Sequence, residues 1–221
     1  MMMEPNFDRA AIKATETLIE YQIAIAPIDP FPILKKHPNV KVIAFAEAAH
    51  KIGMERETLL DMFGNESRAA VTTIRQIDGE TKHIVVYNQR MPFVLLQRAL
   101  ARELGHIVLG HDGTRPVDVR MAEAYAFALH LLCPRALIRT LQESPYPVTV
   151  ETIGNVTGCF GGCLSRMKQL PGAHVPAELN RKVKERFSES MADFMRYQPV
   201  ISSEDSSPLA DFGSYMDGYV D

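Results

Sequence analysis

The stretch Pro92 to His111, PFVLLQRALARELGHIVLGH, constrains the fold more than any other part of the chain. Its apolar residues Phe93, Leu96, Leu100, Leu104, Ile107 and Val108 recur at helical spacing, and neither proline nor glycine interrupts them before Gly105. The spacing predicts a core helix that other elements must cover. Length allows this, since 221 residues, 46% of them hydrophobic, bury the core of one medium-sized domain with a small appendage.

The flanking sequence predicts what does the covering. Residues 8 to 24 repeat apolar positions at Ala11, Ile12, Ala14, Leu18, Ile19 and Ile23, an amphipathic helix with Asp8 as its cap. After Pro27, a short helix is expected over Ile28 to Lys36, a strand over Val40 to Phe45 and a helix over Glu55 to Phe63. The runs Ala69 to Gln76 and Lys82 to Asn88 are strand-like and are separated by Asp78-Gly79, a tight-turn dipeptide. A small antiparallel sheet therefore precedes the core helix. Downstream, a second helix runs from Val119 to Leu132 and stops at Cys133-Pro134, because proline disfavours helical geometry in the residue before it. Residues 148 to 170 read as two short helices and residues 176 to 196 as one charged amphipathic helix. The expected fold class is α+β.

Charge and cysteine content narrow the function classes. A net charge of -3 gives no basic footprint for nucleic acid, so direct binding to DNA is not expected. The first residues lack the apolar core of a secretory signal, the three cysteines are an odd number, and no apolar run approaches a membrane span. A cytoplasmic location with reduced thiols is expected. Beyond Pro199 the chain holds five acidic residues, Glu204, Asp205, Asp211, Asp217 and Asp221, and no Lys or Arg. This reads as a disordered acidic tail, or one docked loosely through Phe212, Tyr215 and Tyr219.

Within the core helix lies Arg102-Glu103-Leu104-Gly105-His106. With His in place of Arg102 this would be HExxH, in which two histidines at i and i+4 share a zinc ion on one helix face while the Glu polarises a bound water. The first ligand is absent.

Two segments read together carry a resemblance. Leu100 to His111, LARELGHIVLGH, and Glu123 to Pro134, EAYAFALHLLCP, resemble the ImmA/IrrE metallopeptidase-like family, whose members carry AHELGHxxLGH followed, after a short loop, by ExxAxxFAxxLLxP. The resemblance spans roughly residues 8 to 170. It implies a zincin-like domain over residues 8–145; the residues themselves give a helical extension over 146–198, helix-turn-helix-like in cadence over 148–170, and the acidic tail over 199–221. It also implies zinc as cofactor, with His106 as the second His ligand, Glu123 as the third ligand and Glu103 as general base. In some relatives the carboxylate stands two positions earlier, where this chain has Met121. Members of the family serve bacterial mobile genetic elements or stress responses by cleaving or antagonising a helix-turn-helix repressor. The implied partner is thus a protein, with no direct nucleic acid and no membrane.

Arg102 is the departure. A guanidinium stays protonated and offers no lone pair, and a fixed positive charge beside a dication repels it. Two arrangements remain. Arg102 pairs with Glu103 or Glu123 and ties the two motif helices together, or it turns to solvent and His111 completes an altered site. His111 lies about 140° further round an ideal helix than His106, so the second requires the helix to end near Gly110. Geometry and charge favour the first. Two functions follow: hydrolysis of a peptide bond by a zinc-activated water, or a catalytically degenerate module that works by binding a protein.

Each candidate also has an ordinary reading. His106 could be a buried histidine with a local hydrogen-bond partner, His111 a C-terminal histidine favoured by the helix dipole, and His130 a packed or half-exposed helix residue. Phe127, Leu131 and Leu132 are core residues under any reading. Cys159 and Cys163 form C-x-x-x-C, but with Cys133 elsewhere and no second pair they are read as structural, reduced thiols.

Overall fold

A computed structural model describes residues 3–53, 55, 58, 69–77, 79–144, 148–159 and 173–196. The expected helix at Glu55 to Phe63, Cys163, the second of the two short helices and the acidic tail lie outside these or nearly so. The architecture is α+β, with nine helices among the described residues and a three-stranded sheet. The chain divides into two compact units, Asp29–Ala124 and Met1–Ile28 with Tyr125–Asp221. Among the described residues no single helix is long and apolar enough to cross a membrane.

In the unit Asp29–Ala124, helix α2 (Pro30–Lys36) starts where the Asp29 side chain accepts the Phe31 N–H at 2.9 Å, with proline in the first turn. Strand β1 (Val40–Ala44) leads directly into α3 (Phe45–Ile52), which the sequence reading did not anticipate. Strands β2 (Ala70–Ile77) and β3 (Glu80–Tyr87) form the predicted antiparallel hairpin, with Ile77 opposite Glu80 and Gly79 at φ +78°. β1 pairs with the other side of β3 in parallel, Val40 opposite His83 and Ala44 opposite Tyr87. The sheet order is β1-β3-β2, and the sheet is mixed rather than antiparallel throughout. β3 is its centre, with Val85 and Val86 buried, and α3 lays Phe45, Ala48 and Ala49 against Val86.

The core helix is α4 (Phe93–Val108), and it packs on β2, β3 and α2. Leu100, Leu104 and Ile107 are buried as the periodicity requires, whereas Phe93 in the first turn is 57% exposed. Helix α5 (Val117–Leu132) follows after a loop and begins in this unit, with Glu123 and Ala124 buried.

In the other unit, Phe127, Leu131 and Leu132 of α5 are fully buried, and α6 (Arg135–Gln142) and α7 (Val150–Thr157) follow. Helix α1 (Phe7–Glu20) is capped by Asn6, whose side chain accepts the Arg9 N–H at 2.8 Å. Asp8, the expected cap, instead accepts the His174 N–H at 2.7 Å. The small residues Ala10, Ala11 and Ala14 let α1 approach α8 (Ala177–Arg186) closely, with Ala11 against Ala173 and Val175. The single helix expected over 176–196 is interrupted at Phe187, and α9 (Ser188–Arg196) continues beyond it. Phe187 and Met191 are buried there.

Candidate functional site

The site residues come from one end of α4, the loop after it and the first two turns of α5, all within the unit Asp29–Ala124. What gathers them is the way α4 stops. Gly110 takes φ +65°, its N–H bonds to the Ile107 carbonyl at 3.0 Å, and the His111 N–H bonds to the His106 carbonyl at 2.9 Å. These two bonds form a Schellman cap, which folds the residue after the glycine back over the last turn. The His111 ring therefore lands edge-on to the His106 ring, with centroids 5.0 Å apart. A β-carbon on residue 110 would meet nothing within 4 Å, so substitution there costs only backbone strain. Gly110→Ala is expected to lower stability by about 1 kcal/mol, read from urea unfolding.

From this turn a chain of polar contacts runs to α5. His106 Nδ1 and His111 Nδ1 are 2.9 Å apart, and His111 Nε2 is 2.9 Å from Glu123 Oε2. The same carboxylate oxygen accepts a hydrogen bond from Arg115 Nη1 at 2.6 Å. The His111 and Glu123 side chains are 0% and 1% exposed. Charge and geometry fix the tautomers. The Glu123 carboxylate only accepts, so His111 donates from Nε2; a neutral His111 then has a bare Nδ1, which accepts the Nδ1 proton of His106. The lone pair of His106 is left on Nε2.

The surroundings keep both rings neutral. His106 is pushed down to about 4, first by burial and then by His111 and the positive charges of Arg102 and Arg120. His111 is also lowered, because burial outweighs the upward pull of its bond to Glu123. Arg120 Nε donates to the Arg115 carbonyl at 3.0 Å, which fixes the loop against the first turn of α5. Asp112 closes that loop by accepting the N–H and hydroxyl of Thr114, and these bonds hold its carboxyl below the usual range.

Arg102 and Glu103 form a second, separate pair. Arg102 Nη2 lies 3.2 Å from Glu103 Oε1. Glu103 is buried, and burial raises its pKa; Arg102 and Thr72 of β2 offset this in part, although the Thr72 hydroxyl makes no well-aligned hydrogen bond. Arg102 thus takes one of the two carboxylates expected for it, but that partner is its own neighbour on α4. The tie between the end of α4 and α5 is made by His111 and Arg115 on Glu123. His111 bridges His106 and Glu123, where the end of the helix at Gly110 places it.

Met121 is 42% exposed, while Glu123 points into the cluster. Arg115 and Arg120 were not anticipated, and their only sequence signal is spacing, Arg120 lying one turn before Glu123. His130, in the other unit, is half-buried and held at about 4 by burial and by Arg135.

The donor set does not fit a zinc ion. Of the three ligand positions that the resemblance implies, one is a guanidinium, and Glu123 already accepts two hydrogen bonds on one oxygen. Among the described residues no group of three or more His, Cys, Asp or Glu side chains is disposed to hold a metal. No protein-family model, no curated protein and no solved structure matches the chain.

Proposed function

We propose that this chain is an ImmA/IrrE-type metallopeptidase-like protein whose metal position has become a buried hydrogen-bonded cluster, and that it acts by binding a regulatory protein without cutting it. A helix-turn-helix repressor, in a bacterium or its mobile element, is the partner class the resemblance supplies. The observation that carries the reading is the double occupation of Glu123 by His111 and Arg115, with Arg102 paired to Glu103 where the first ligand would stand. Of the groups a peptidase would aim at metal or water, Glu103 and Glu123 are already engaged in structural contacts, while His106 keeps its Nε2 lone pair.

Zinc-dependent hydrolysis, with Glu103 as general base, is the other reading. One observation favours it: His106 donates its Nδ1 proton and keeps the Nε2 lone pair, the arrangement that orients many zinc-ligating histidines. Binding and cleavage separate in one experiment with helix-turn-helix repressors from the same genome. A binding module holds its repressor with affinity unchanged to within about twofold when chelator is added or when Glu103→Gln is introduced, and leaves it intact. Cleavage that disappears in both conditions establishes the peptidase.

A further inference from the structure

We propose that the first turn of α4 is a docking surface for a protein partner, and that the segment it takes is amphipathic, with large apolar side chains on one side and carboxylates on the other. At about 1.5 Å per residue, Phe93 stands about 20 Å along the helix from His106. The inference therefore goes beyond the reading above and holds whether or not the cluster takes a metal.

The run Met91 to Leu96, MPFVLL, is apolar throughout, yet none of its residues is buried. Phe93 is 57% exposed and Leu95 43%. The buried residues of α4 begin at Gln97, so the core does not account for an apolar first turn. Apolar residues scattered singly on a surface are ordinary; an unbroken run of them is a patch. It continues toward α2, which packs on α4 and whose Phe31 ring meets Tyr87 edge-on at 5.2 Å, at the end of β3 just before the turn into α4.

Charge selects the partner's sign. Arg90 is exposed immediately before the run, Arg98 Nε donates to the Val94 carbonyl at 3.3 Å, and Lys35 Nζ stands 4.6 Å above the Phe31 ring. Among the described residues none of these three cations is in an ion pair. The acid at this end, Asp29, caps α2, and counting its charge in full still leaves a positive excess. Thr81 to Arg102 contains Lys82, Arg90, Arg98 and Arg102 and no Asp or Glu. Helix α4 also begins without a side-chain cap, so the positive end of its dipole opens on the same surface. An apolar centre rimmed by arginine is the anatomy of a protein interface. A second copy offering the same face would set like charges against each other. An anionic bilayer fits less well, because half-covered side chains do not reach the depth of an inserted helix and the chain carries a net charge of -3.

The test follows the Met91 and Leu95 methyl signals in the NMR spectrum of the full-length protein. The probes are a capped amphipathic peptide with Leu on one face and Glu on the other, the same peptide with Lys for Glu, and vesicles of phosphatidylserine and phosphatidylcholine. Both signals are expected to shift with the Leu/Glu peptide and not with the Leu/Lys peptide. Phe93→Ser should weaken Leu/Glu binding by about tenfold and Arg90→Gln by about threefold, with the urea midpoint unchanged because both side chains are exposed. Signals that stay still with the Leu/Glu peptide, or that respond equally to both peptides, overturn the proposal. A response to vesicles alone assigns the surface to a bilayer, and signals that change with protein concentration alone assign it to a second copy; either overturns the protein partner. The zinc and repressor measurements read the other end of α4, so failure here leaves the reading of the cluster untouched.

Discussion

Glu123→Ala is expected to destabilise the protein by about 3 kcal/mol, the range found when one partner of a buried ion pair is removed. The carboxylate is 1% exposed and serves two donors, so its loss strands His111 Nε2 and Arg115 Nη1 together. Arg115 is 25% exposed and recovers water, which keeps the cost toward the lower end. Glu123→Gln preserves an acceptor and the volume, and is expected to be milder. A double change, Glu123→Ala with Arg115→Met, should cost less than the two single changes summed, by about 1 kcal/mol, because the second removes a charge that the first left unpaired. Urea unfolding of the four proteins measures this. Additive effects within about 0.3 kcal/mol would mean that the contact contributes no coupling.

The second large effect is acid destabilisation. His106 and His130 both titrate at about 4 in the folded protein, and His111 is lowered as well, against 6.5 for an unperturbed ring. The unfolded chain therefore binds more protons than the native one between about pH 6.5 and about pH 4. The stability these neutral rings contribute is complete above the upper limit and is lost as pH falls through the window. A wholly buried histidine changes stability by up to about 1.4 kcal/mol per pH unit there; His106 and His130, half-buried, contribute less. Glu103, raised by burial, has the opposite sign, since the native state takes up its proton earlier than the unfolded chain does. It softens the acid loss without cancelling three histidines. Urea midpoints measured between about pH 7 and about pH 4.5 should fall, and His106→Gln should flatten the slope. A flat profile for the native chain would contradict neutral burial of these rings.

The parts of the fold legible in the sequence are those specified locally. Helix α4 follows from the apolar spacing of Leu100, Leu104 and Ile107, and the hairpin from a glycine suited to positive φ. The parallel partner was not legible, because nothing in Val40–Ala44 says which edge of β3 it joins or in which direction. Helix α3 escaped notice because it follows β1 at Ala44 with no side-chain cap. The break at Phe187, where a large ring is buried, has no proline or glycine to mark it in the sequence.

The site divides in the same way. Glu103, His106, His111 and Glu123 were legible from motif spacing, and Gly110-His111 contains the turn that brings the two rings together. That Glu123 would be taken by Arg115 was not legible. Arg115 lies in a loop whose path depends on the Thr114 bonds to Asp112 and on the Arg120 bond to its own carbonyl. The expectation that Arg102 would tie the helices together failed because the residue next to it already offers a carboxylate.

In the proposed function this cluster stands where a metal would be and takes none. Zinc content per chain after reconstitution and dialysis, measured for the full-length protein beside Arg102→His, tests it most directly. The account predicts less than about a tenth of an equivalent for the native chain, since a zinc site needs at least three lone-pair donors, and a clear gain for the variant. About one zinc retained by the native chain would contradict it. Glu123 would then have to leave Arg115, and the protein would have to be examined as a peptidase.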